Sequence, residues 1–151
     1  MFGASVHPVD LTVVVVANLM NVLLTAMFLA RALNSPHLAR AVGTAVVLLA
    51  LPLVVATALN LREGRGAWLV ALPALVILYC AVEFVLDYVL RVDFRNTALL
   101  GPYLGLYYLS LMGMIGYAFL VGRPYGFATL VTYFANLAAT FYSFARVGHG
   151  A

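Results

Sequence analysis

Apolar runs long enough to cross a bilayer, which takes roughly 20 residues, recur along this chain with hardly an interruption. That recurrence leaves one fold class: an all-α, polytopic integral membrane helix bundle. Of the 151 residues, 66% are apolar and only 9% charged, far from the balance of a globular protein in water. The first residues, Met1 to Pro8, lack the basic segment that opens a secretory signal, so the first apolar run is expected to remain as a span.

Five spans are expected, at about 11–33, 36–61, 67–92, 102–121 and 124–146, forming a single transmembrane domain over 1–151. Asp10 is read as the cap of the first helix and Asn34 as its end. Ser35-Pro36 supplies an N-cap and a first-turn proline for the second. Pro52 removes one backbone bond and should kink that helix near Leu48. Trp68 is expected at the membrane interface near the start of the third span. Gly122-Arg123-Pro124 is read as a hairpin rather than a bend in one long helix.

The arginines sort by side. Arg31, Arg40, Arg91, Arg95 and Arg146 fall at one end of the spans, against Arg62, Arg65 and Arg123 at the other. By the positive-inside rule the amino terminus is outside and the carboxyl terminus cytoplasmic, in the plasma (cytoplasmic) membrane of a prokaryote. The formal charge of +3 is spread over helix ends, with no cluster suited to nucleic acid. No cofactor is expected: Cys80 is the only cysteine, and His7, His37 and His149 lie in loops or tails, which leaves no metal or haem site within the spans.

Polar residues inside a span should face away from lipid, and at 100° per residue their direction can be read. In the fifth span Thr129, Thr132, Tyr133, Asn136 and Thr140 share one stripe, and in the first Asn18 and Asn21 lie close together. Hydrogen bonding between helices is the plain use of such groups, and a polar path is the functional one. In the fourth span Gly101, Gly105, Gly113 and Gly116 share a side, with Gly105 and Gly113 at an expected oligomer seam. Tyr103, Tyr107 and Tyr117 occupy the opposite side, where Tyr107 is the pocket candidate and the other two are also readable as interface anchors.

The third span carries Tyr79, Glu83, Asp87 and Arg91 at intervals of four, stacked on one helical face. Helical rise puts Glu83 about 24 Å from Ala67, inside a hydrocarbon layer about 30 Å thick. An acid at that depth is expensive and is read as functional, whereas Asp87, near the boundary, can pair with Arg91. The common hydrolase and nucleotide-binding motifs are absent from the sequence. The leading expectation is a proton- or cation-linked transporter or channel-like protein built on Glu83 and Asp87, acting on a proton, cation or small solute. An accessory or scaffold subunit of a membrane complex is the second reading, and an enzyme acting on lipid or isoprenoid the third. Partners beyond the lipid bilayer would be a second copy of the chain or another membrane protein.

Overall fold

The computed structural model of the protein describes residues 6–148, and among these it is helical throughout, without strands. The α-helices are α1 (Pro8–Ala32), α2 (Pro36–Leu48), α3 (Ala50–Arg62), α4 (Ala67–Glu83), α5 (Leu100–Val121) and α6 (Arg123–Val147). A π-helical segment, Phe84–Val89, continues α4, and a 3-10 turn, Phe94–Asn96, interrupts the connection to α5. His149 lies outside the described residues.

Helices α2 and α3 together make one span, Pro36–Arg62, so the described residues form five rods. Four are long and apolar enough to cross a membrane: Pro8–Ala32, Pro36–Arg62, Ala67–Val89 and Leu100–Val121. The fifth, α6, matches α1 at 25 residues, but its threonines and asparagine make it less apolar. Large apolar side chains on every rod point outward, among them Val22, Leu51, Leu78, Leu109 and Phe134. In water such surface would drive aggregation; in a bilayer it faces a matching solvent.

Local sequence accounts for the breaks. Pro52 has no N–H to offer the Leu48 carbonyl, and the helix parts at Leu49, whose own N–H is shared between Ala45 O at 3.2 Å and Val46 O at 3.1 Å. Asn34 closes α1 in the left-handed region at φ 53°, a conformation asparagine tolerates. Gly122 alone joins α5 to α6, and the rods fold back on each other, bringing Tyr107 to Asn136. The hairpin reading therefore holds. At Gly126 the second helix comes so close to the first that a Cβ would overlap the Phe119 ring.

The rods close on themselves around α1, the most enclosed of the apolar spans: α1 packs on α6 and on α2–α3, α4 joins α3 to α5, and α5 packs on α6. Helices α1 and α6 run parallel, with Asn18 bonded to Thr129 toward one end and Phe28 against Phe144 toward the other. Gly113 packs against the Leu72 and Leu75 side chains of α4, so close approach there serves this chain's own core and not a seam between copies. Gly101 and Gly105 face outward with open space around them.

The first cap reading is corrected. Helix α1 begins at Pro8 with His7 as its N-cap residue, and Asp10 sits inside the first turn, where its carboxylate is drawn to Arg65 instead of the backbone. The third span also ends earlier than 92, because α-helical bonding stops at Glu83 and the wider π turn stops at Val89.

Candidate functional site

The polar groups of the sequence form three clusters along the inside of the bundle. At the end where α3 meets α4, Arg65 grips Asp10 with both terminal nitrogens, Nη1 to Oδ1 at 2.8 Å and Nη2 to Oδ2 at 2.7 Å. Tyr117 donates to the same Oδ1 at 2.7 Å, and Asn60 Oδ1 accepts from Arg65 Nη1 at 2.7 Å. The hydrogen bond and charge of Asp10 raise the Arg65 pKa above its ordinary value, against the lowering effect of burial. Within this cluster the carboxylate and the guanidinium match each other's charge. Tyr117 is thus no interface anchor: it is fully buried with its hydroxyl spent on a carboxylate.

In the middle, the stripe of α6 turns inward, as its direction implied. Asn18 donates to Thr129 Oγ1 at 3.0 Å and accepts from Thr132 at 2.9 Å, while Asn21 donates to Thr132 Oγ1 at 3.1 Å. One polar atom in this group, Asn21 Oδ1, is buried with no hydrogen-bond partner among the described residues. Asn136 and Tyr107 bond to each other, Nδ2 to the phenol oxygen at 3.0 Å, and Thr140 donates to the Asn136 carbonyl at 2.8 Å. Tyr133, half-buried, stacks at a tilt on Phe134 and joins none of these bonds.

The third cluster gathers at the opposite end. Glu83 is buried on α4 and accepts a hydrogen bond from Tyr103 of α5, whose oxygen is 3.2 Å from that of Tyr79. Tyr79 in turn packs edge-on against Tyr107, ring centres 5.5 Å apart, so the tyrosines lead from Glu83 toward Asn136. Asp87 pairs with Arg95, not Arg91: Nη1 and Nη2 of Arg95 reach its two oxygens at 2.9 and 2.7 Å. The π turn and the fold of the connector explain the change of partner. Phe94 is fully buried against the Tyr103 ring at 4.7 Å, which swings the next residue, Arg95, back beneath α4. Arg91 instead lies in the left-handed region at φ 52°, past the end of the helix.

Arg95 Nη2 is also 3.8 Å from Glu83 Oε1, an ion-pair distance too long for a hydrogen bond. Burial works to lower the Arg95 pKa, but the hydrogen bond and charge of Asp87, helped by Glu83, outweigh it and hold the guanidinium above its ordinary value. A permanent cation therefore sits between the two acids.

A cavity of about 650 Å³ opens onto this cluster. Its wall includes Glu83, Asp87, Asp93 and Arg95, together with Arg31 of α1, Arg40 of α2 and Arg91. Where α2 passes the π segment, Thr44 and Tyr88 share a hydrogen bond of 2.9 Å that joins the two sides. A smaller space of about 40 Å³, enough for a water or two, shares Arg31 and Arg95 with the large one and reaches Tyr79, Tyr103, Tyr107 and Thr140.

Of the residues expected to form a path, the structure joins Glu83, Asp87 and Tyr79 in one cluster and links them through Tyr107 to Asn136 and Thr140. Asn18, Asn21, Thr129 and Thr132 form a separate group that bonds α1 to α6. The sequence reading missed Arg95, Tyr103 and the Asp10–Arg65 pair. Tyr103 carried a signal, since it shares a face with Tyr107; Arg95, in an irregular connector, carried none. In comparisons with known proteins, the chain matches no family model, no curated protein and no solved structure.

Proposed function

We propose that the chain is a proton-linked membrane transport protein in which Glu83 is the group that takes up and releases the proton. The observation that carries this reading is the setting of Glu83. It is a buried acid in the wall of a solvent-sized cavity, and Tyr103, Tyr79 and Tyr107 connect it with Asn136 at the centre of the bundle. Acids at such depth commonly mark ion or proton routes.

Two further features favour this assignment. Arg95 gives both its short hydrogen bonds to Asp87, so Glu83 keeps a carboxyl group free of any direct bond to a cation. The arginines of the cavity wall outnumber its acids, four to three, so the site offers no surplus of negative charge to hold a metal cation. The asymmetry of the bundle fits a protein open to one side at a time, with matched charges at the Arg65 end and a cavity at the other.

Reconstitution into liposomes loaded with a pH-sensitive dye, with a potassium diffusion potential as driving force, tests the assignment. The wild type should acidify or alkalinise the lumen according to the sign of the potential, and Glu83→Gln should abolish that flux, while Asp93→Asn retains it. Equal flux from wild type and Glu83→Gln refutes the role of Glu83.

A further inference from the structure

The large cavity holds more positive charge than its acids can match, and the imbalance is specific to certain residues. Asp87 takes both short bonds of Arg95, and Glu83 shares the same guanidinium. Asp93 accepts from Asn96 Nδ2 at 2.9 Å. Arg31, Arg40 and Arg91 therefore line the cavity with no carboxylate at ion-pair distance among the described residues, although Arg31 lies over the Phe28 ring at 5.5 Å. They come from three separate places in the chain, the last turn of α1, the first half of α2 and the connector after the π turn. Pro36, at the start of the 13-residue α2, also lines the cavity, so the partial positive charge of that helix end adds to theirs.

Unpaired arginines around a concavity of this size, well within the range of small-ligand sites, suit an oxyanion that accepts several forked hydrogen bonds at once. A phosphate group does so best among common biological anions. The backbone at Arg91 points the same way. A left-handed conformation is strained for any residue with a side chain, yet the helix end is closed there by an arginine and not by the usual glycine.

We infer that this cavity is a binding site for a phosphate group, held by Arg31, Arg40 and Arg91. The group belongs either to a phospholipid headgroup entering from the membrane surface or to a soluble phosphate compound. This deepens the reading of the same cavity as a transport site by naming a ligand class, and it depends on the arginines and not on the proton at Glu83.

The test uses the full chain purified in a neutral detergent, with two arms. In one, inorganic phosphate is titrated calorimetrically; in the other, phosphatidylglycerol and phosphatidylcholine are compared by native mass spectrometry. Saturable binding of phosphate identifies a soluble source, and retention of phosphatidylglycerol over phosphatidylcholine identifies a headgroup. In whichever arm binds, the triple variant Arg31→Gln/Arg40→Gln/Arg91→Gln should bind at least about tenfold more weakly, the least expected from losing several hydrogen bonds to charged groups. The exposed Arg40, changed alone to Gln, leaves the fold intact and should weaken binding measurably. Arg62→Gln/Arg123→Gln, at the other end, should leave binding unchanged. No binding in either arm, or equal binding by wild type and triple variant, overturns the inference. Glu83→Gln should still bind, so loss of proton flux without loss of binding separates this site from the transport reading.

Discussion

The pair formed by Asp10 and Arg65 can be broken by one atom-scale change. Asp10→Asn keeps the size of the side chain and removes its charge: an amide oxygen can still accept the bonds made to Oδ1, but an NH2 donor replaces Oδ2, the acceptor of Arg65 Nη2 at 2.7 Å, and Arg65 loses its counter-charge. Breaking a buried ion pair from one side costs about 3–5 kcal/mol. Two features lower that figure here. The Arg65 side chain is 20% exposed, against 10% for Asp10, so the stranded guanidinium regains some hydration. Asn60 Oδ1 also still accepts one of its hydrogen bonds, at 2.7 Å. A net loss of about 2–3 kcal/mol follows, equivalent to a fall in melting temperature of about 4–12 °C at 2–4 °C per kcal/mol. Thermal unfolding in detergent micelles, followed by circular dichroism, measures it. The double variant Asp10→Asn/Arg65→Gln should be less destabilised than the sum of its single changes by about 1 kcal/mol or more. The exposed pair His7–Glu63, 3.6 Å apart with both side chains 43% exposed, is the comparison: Glu63→Gln should shift stability by under about 0.5 kcal/mol. A melting temperature for Asp10→Asn within 1 °C of wild type (about 0.3–0.5 kcal/mol by the same conversion), or strict additivity in the double variant, refutes the account of this cluster.

Gly126→Ala places a methyl group against the Phe119 ring and should cost about 1–3 kcal/mol of stability by overpacking; adding Phe119→Ala in the same chain should recover part of the loss in the same unfolding measurement. Arg91→Gly relieves the left-handed strain at φ 52° and should raise stability by about 1 kcal/mol, while Arg91→Val, β-branched in the same conformation, should lower it.

The rods, the hairpin at Gly122 and the break before Pro52 were all legible in the sequence, because each depends on local chemistry: an apolar run, a glycine two residues before a proline, a missing N–H. The inward direction of Thr129, Asn136 and Thr140 was legible for the same reason, since helical periodicity is fixed once the helix is. What the residues contact was not. Asp10 has the sequence context of a cap, and only the return of α3 and α4 brings Arg65 within reach of it. The Asp87–Arg91 pairing assumed that α-helical turns continue to the end of the span; the π turn and the buried Phe94 replace Arg91 with Arg95. Tyr103 and Tyr117 sit near the two ends of α5, where tyrosines often meet lipid headgroups, and nothing local shows that each faces a carboxylate on another helix.

The break at Leu49 divides one rod between two tasks. Helix α3 is tied at its far end by Asn60, which donates to Leu69 O at 2.9 Å and accepts from Arg65, whereas α2 packs on α1 and bonds to the π segment through Thr44 and Tyr88. Leu49 keeps right-handed helical dihedrals, so the break shifts the hydrogen bonding without ending the rod. The two halves of that rod therefore serve opposite ends of the bundle, α2 carrying Arg40 to the cavity and α3 carrying Asn60 to the Arg65 cluster.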